Sequence, residues 1–133
     1  MSTPPHPAVV FGLTGTGMAV ARSLRRRGVP VYGVDAKAWE IGHHSNEVLR
    51  PPFATRAQDA ALAEEVVAWA KQQPAAPVLF PADDPSCDFL SDHQATLRTA
   101  CLLPEGYRPE VASAFVDKIT FYKRCLALGV ALA

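Results

Sequence analysis

The chain predicts an α/β domain of three layers around a mostly parallel sheet, and three observations predict it. Short apolar runs at 8–11, 29–35 and 77–80 alternate with stretches of helical periodicity. Glycine, proline and capping residues stand at the joints between those segments. With 133 residues, 49% of them hydrophobic, the chain is long enough to bury one real core.

The elements follow in order. Residues 1–7, with three prolines among them, read as a disordered leader. Ala8-Val9-Val10-Phe11 is a continuous apolar run stopped by Gly12, as expected of a strand covered on both faces. Val20 and Leu24, with Ala21 adjoining, mark the inner side of a helix that Gly28 closes, with Arg22, Arg25 and Arg26 turned away. Val29–Asp35 is a second strand, so the first 35 residues describe a right-handed parallel crossover. Glu47-Val48-Leu49 predicts a short strand halted by Pro51-Pro52.

Thr55 with Gln58 three residues on has the spacing of a capping box, opening a helix whose inner face is Leu62, Val66 and Trp69. Pro77-Val78-Leu79-Phe80 is the next buried strand. Asp84 is suited to cap the helix that follows, with Pro85 in its first turn and Phe89, Leu90 and Leu97 as its core stripe. A short strand at Cys101-Leu102-Leu103 and helices starting near Pro109 and near Asp117 complete the chain.

Composition excludes several classes. Thirteen basic residues offset thirteen acidic ones, so no overall field favours nucleic acid or an anionic membrane. Arg25-Arg26-Arg27 reads as the solvated last turn of a helix, where cations suit the dipole. No apolar run approaches the roughly 20 residues that span a bilayer, and the N-terminus lacks the pattern of a secretion signal. Cys87, Cys101 and Cys125 fit no metal-ligand spacing and read as reduced thiols of a cytoplasmic protein, packing as small apolar residues. His43-His44 reads as a solvated loop pair.

Three places carry candidate chemistry. Between the first strand and its helix lies Gly12-Leu13-Thr14-Gly15-Thr16-Gly17. Glycines there let the backbone approach an anion, and the free N–H groups of a helix start point toward it. The alternative is that they serve only a tight turn and close packing. Val20 stands where the dinucleotide fingerprint has a third small residue, while Asp35 ends the second strand where an acid bonds a ribose hydroxyl, or caps a loop. The second place is Asp83-Asp84, at the carboxyl end of a strand, where open α/β sheets bind ligands and adjacent acids can hold a metal or orient an amine; the alternative is a structural pair, with Asp84 as helix cap, and of the two Asp83 is the candidate ligand contact. The third is Asp117-Lys118, whose lysine is a point-charge partner for phosphate oxygens.

Taken together, Val9–Gly12 with its glycine loop, Ala19–Leu24, Arg27–Asp35, Val78–Asp84 and Asp117–Tyr122 resemble a known N-terminal domain. It is the domain that precedes the ATP-grasp fold in carboxylate–amine ligases, the group of carbamoyl-phosphate synthase, biotin carboxylase and D-alanine–D-alanine ligase. The large subunit of carbamoyl-phosphate synthase is the nearest in character. The resemblance implies a Rossmann-like, pre-ATP-grasp domain over 8–116 and a linking helix over 117–133. It also implies a reaction in which ATP, with Mg, turns a carboxylate into an acyl phosphate that an amine attacks. By that likeness Lys118 reaches the ATP phosphates, and Gly12, Gly15, Thr16, Gly17, Asp35 and Asp83 face the carboxylate or amine substrate.

In that family the ATP-grasp region, with its second phosphate-binding lysine and acidic magnesium ligands, follows the position of Gly129, and a proline commonly follows the glycine-valine pair. Here Ala131-Leu132-Ala133 stands instead. The expectation is a truncated, split or partial form that does not turn over ATP alone and meets an ATP-grasp domain in cis or in trans. An uncovered face at Phe115, Ile119 or Phe121 would then favour self-association into a homodimer. Two other readings stay open. One is an NAD-binding oxidoreductase domain, with Asp35 favouring NAD over NADP. The other is a non-catalytic module that binds a small ligand or a partner chain.

Overall fold

A computed structural model describes residues 4–131, with Ser113 and Phe115 described by their backbone alone. The elements are β1 (Ala8–Phe11), α1 (Gly15–Arg25), β2 (Val31–Val34), α2 (Ala60–Ala70), β3 (Val78–Pro81), α3 (Asp84–Asp92), α4 (Gln94–Leu97), α5 (Pro109–Val116) and α6 (Lys118–Ala127), with a 3-10 turn at Ile41–His44. The fold is α/β with an open, all-parallel sheet of three strands in the order β2-β1-β3.

β1 is central because its neighbours cover it on both edges and helices cover it on both faces. Its side chains alternate across the sheet. Val9 and Phe11 enter a core built with α2, α3 and α4, around Leu62, Val66, Leu79, Phe89 and Leu97. Ala8 and Val10 enter the opposite core, with Met18 and Ala21 of α1. All four residues of β1 are buried, which is why it reads as an unbroken apolar run. The inner face of α1 lies one residue off the expected stripe: Gly17, Met18 and Ala21 are buried, while Val20 and Leu24 pack half-buried at its margin. Pro7 is buried too, and its carbonyl accepts from the Val78 N–H (2.8 Å), while residues 1–3 of the expected leader lie outside the described residues.

The two short strands expected at 47–49 and 101–103 are reduced to single parallel bridges. Leu49 bridges Tyr32 on the outer side of β2, and Leu102 bridges Val78 on the outer side of β3. Pro51 and Pro52 on one side and Pro104 on the other stop each from running further.

Three helix starts differ from expectation. α2 begins at Ala60 and not at Thr55, because Asp59 is the cap and accepts from the Leu62 N–H (2.9 Å). Gln58, freed from capping, donates instead to Ser86 Oγ (2.9 Å). α3 is capped by Asp83, not Asp84: the Asp83 carboxylate accepts from the Ser86 N–H (2.9 Å), and Asp84 is the first helical residue. The helix expected to run on to Leu97 breaks at His93, whose backbone (φ −107°, ψ 13°) leaves the helical region and starts α4. The break still delivers Leu97 to the core.

Phe89 ties the larger core together, its ring centroid 5.5 Å from that of Phe11 and 5.2 Å from that of His93. Phe89→Ala removes this ring from a fully packed site and is expected to cost about 3–5 kcal/mol, measured as a fall in the urea midpoint with the slope unchanged.

Candidate functional site

The carboxyl ends of the three strands meet in one place. Gly12 follows β1, Asp35 follows β2, and Ala82 and Asp83 follow β3. The chain leaves β1 toward α1 and leaves β3 toward α3, on opposite faces of the sheet. The gap between the β1 and β3 ends is therefore the switch point at which such sheets open a crevice.

Asp35 is 7% exposed and its carboxylate is fully engaged by backbone. One oxygen accepts from the Leu13 N–H and the other from the Lys37 N–H, each at 2.9 Å. The acid at the end of β2 thus clamps the glycine loop after β1 to the turn after β2. His43, expected in a solvated pair with His44, is instead buried, and its Nε2–H donates to the Asp35 carbonyl (2.9 Å). That bond assigns the donor role to Nε2, so in the neutral ring Nδ1 is a bare acceptor, and it is buried with no partner among the described residues. His44 is exposed. Nothing in the spacing of the two histidines separated them; the 3-10 turn that carries them packs Gly42 against Leu13, and this decides which ring turns inward.

At the β1–α1 turn two glycines are required by close approach. Gly12 has φ +87°, and a Cβ there would lie 2.6 Å from Asp83 Oδ2. A Cβ on Gly17 would lie 1.8 Å from the Gly12 carbonyl oxygen. Gly17 is therefore a packing residue that lets α1 start directly on the β1 turn. Gly15 has open space around it, and Gly15 and Thr16 are exposed on the first turn of α1. Thr14 makes no side-chain cap bond and the first turn carries no acid. The first-turn N–H groups of α1 are left to solvent or to a ligand.

A cleft of about 260 Å³ opens here, lined by Thr14, Asp35, Lys37, Gln58, Asp83 and Pro85, with Ala36 and Ala57. Asp83 serves two neighbours, capping α3 with one oxygen while the other faces Gly12. Gln58 contributes a carbonyl oxygen that is buried and has no partner among the described residues. Lys37 was not singled out from sequence, Thr14 entered only as part of the glycine loop and Pro85 only as a first-turn residue; Gln58 was legible only as a cap partner, and its place in the cleft follows from the real cap being Asp59.

Lys118 does not line this cleft. It is exposed at the first position of α6, beyond α5, which packs on α3. Asp117 is the cap of α6, accepting from the Ile119 N–H (3.1 Å), the Thr120 N–H (3.2 Å) and the Thr120 hydroxyl. The Thr120 hydroxyl, and then the Ile119 N–H, hold its carboxyl below the ordinary range. The structure thus brings Gly12, Asp35 and Asp83 together, sets Gly15, Thr16 and Gly17 on the adjoining helix start, and keeps Lys118 on another element.

The thiols of Cys87 and Cys101 are poor nucleophiles. Burial pushes Cys101 up to about 11, and burial with the charges of Asp84, Asp83 and Asp88 raises Cys87. No group of three or more His, Cys, Asp or Glu that could hold a metal occurs among the described residues, and no helix there is long and apolar enough to cross a membrane.

Asp35→Asn keeps the shape but leaves one of the two backbone N–H groups without an acceptor. A loss of about 1–3 kcal/mol in chemical denaturation is expected, with faster amide exchange at Leu13 or Lys37. The two glycines of α1 should part company. Gly17→Ala must displace the Gly12 carbonyl and is expected to cost about 1–3 kcal/mol or more. Gly15→Ala meets nothing and should leave the same midpoint unchanged or raised by up to about 1 kcal/mol.

No family model matches the chain, and no curated protein or solved structure matches it either.

Proposed function

We propose that the chain is the substrate-side domain of an ATP-dependent carboxylate–amine ligase, a Rossmann-like domain of the three-layer, pre-ATP-grasp type. In this reading the crevice between β1 and β3 forms one wall of the substrate site. ATP, Mg and the magnesium ligands belong to an ATP-grasp region supplied by other polypeptide, in cis or in trans.

The observation that carries the reading is the contact of Gly12 with Asp83 at the switch point, beside a helix start with no side-chain cap. First-turn N–H groups at Gly15 and Thr16 suit an anionic group such as a carboxylate or acyl phosphate. The Asp83 carboxylate offers an acceptor to an amine. A site that positions two reactants of opposite polarity is what acyl-phosphate chemistry needs from this wall, since positioning and charge neutralisation supply most of the rate. Lys118 is exposed on α6, free to meet phosphate oxygens of a nucleotide bound by the second region.

The placement of Asp35 weighs against an NAD-binding domain. Its two oxygens already hold Leu13 and Lys37, and the side chain is nearly closed off, so a ribose hydroxyl would have to compete with the clamp on the glycine loop.

Amide spectra of the full chain test both readings. Titration with small carboxylates or amines is expected to shift Thr14–Thr16, Lys37, Gln58 and Asp83, and incubation with magnesium-ATP should give no sustained ADP release. Sustained turnover by the chain alone, or micromolar NADH binding in place of those shifts, would overturn the proposal.

A further inference from the structure

Two surface features match one another and belong to no site described above. The first is the outer face of α6. At 3.6 residues per turn Ile119, Tyr122 and Leu126 fall on one stripe, and they are 66%, 51% and 61% exposed. Lys118 borders the stripe on one side and Lys123 on the other. Cys125, about a quarter-turn round the helix from the stripe's centre, is buried, and α5 is the element on which α6 packs.

The second feature is an apolar cleft of about 330 Å³ between α3 and α5, lined by Cys87, Pro104, Tyr107, Val111, Ala112 and Val116. Asp84 and Asp88 are exposed one turn apart on α3, close enough to Cys87 for both charges to act on its thiol. They give the cleft an acidic border. On the loop side Glu105 adds one negative charge, and Arg108 and Arg98, whose guanidinium donates to the Pro104 carbonyl, add two positive ones, so the acidic border is the α3 side.

A lysine-flanked apolar ridge and an acid-bordered apolar cleft are complementary in polarity and in charge. The ridge does not serve its own cleft, because its three residues are exposed and none of them lines that cleft. Ridge-on-ridge pairing would set lysine against lysine. Stripe and cleft nevertheless lie on adjoining elements, since α5 both lines the cleft and carries α6. That arrangement allows a reciprocal exchange about a twofold axis, in which each copy supplies one ridge and one cleft.

We infer that a second copy of this chain covers these surfaces: Ile119, Tyr122 and Leu126 of one protomer seat in the α3–α5 cleft of the other, with Lys123 beside the partner's Asp84 and Asp88. The contact leaves Lys118, at the end of α6, outside the charge pairing. It does not rest on the ligase reading.

Sedimentation velocity of the full chain from about 1 μM to about 500 μM tests this. A monomer–dimer equilibrium is expected within that range, weakening as salt screens the charged rims. Leu126→Glu should weaken it about tenfold or more, with an unchanged far-UV spectrum because the residue is exposed. Lys123→Glu and Asp88→Lys should each weaken it, and the two together should restore it to within about threefold of the parent. A strict monomer throughout, a dimer indifferent to Leu126→Glu, or a double variant no better than either single one would overturn the inference. Should Leu126→Glu unfold, the charge-exchange pair decides alone.

Discussion

The Asp35 carboxylate is the tie on which this site depends. A glycine-rich turn after a parallel strand loses more backbone freedom on folding than a turn of other residues. Here one buried acid accepts from the Leu13 N–H and the Lys37 N–H and joins the ends of β1 and β2. Its backbone carbonyl is taken by His43, which anchors the following 3-10 turn over the same loop. Charge-assisted bonds to backbone N–H groups are among the stronger ones a protein makes, and two on one buried residue fix the direction in which α1 departs. Gly17 then lets that helix start against the Gly12 carbonyl, and Asp83 closes the crevice from β3.

This division of labour decides what each acid offers a ligand. Asp35 is occupied by structure and presents little of itself to the cleft. Asp83 caps α3 with one oxygen and keeps the other at the Gly12 turn, so a single side chain couples a helix start to the floor of the crevice. The cap role expected of Asp84 falls to Asp83, which also keeps the cleft-facing place expected of it. The residue at the strand end is structural and site-facing at once, while Asp84 looks outward beside Cys87. A cap that is also a wall of the cleft links ligand contact there to the geometry of α3.

Much of the fold was legible in the sequence because its strongest signals are local. Ala8–Phe11 and Val78–Phe80 are short apolar runs, the first stopped by Gly12, and Gly28 and Gly129 end helices with positive φ (+77° and +69°). Errors arose where two local solutions had similar energy. Thr55 and Asp59 are both sound caps, and the choice fell to Asp59, which leaves Gln58 bonded to Ser86 Oγ. Asp83 and Asp84 are both sound caps as well, and the register of β3 with β1 placed Asp83 at the turn. The break at His93 has no glycine or proline to announce it. The burial of His43 depends on Leu13, thirty residues away, and a reading of local spacing carries no information about such a contact. The crevice itself was legible from topology, but the partners of Asp35 were not, because acceptance of two backbone N–H groups leaves no trace in residue type.

The outermost pairings of the sheet have a consequence of their own. A long outer strand offers a row of unpaired amides and carbonyls onto which another chain can add, the usual route to fibrillar association. In this protein Leu49 and Leu102 each contribute one bridge before prolines end the pairing. Neither border is long enough to template a further strand. Two such molecules are therefore poorly equipped to fuse their sheets edge to edge.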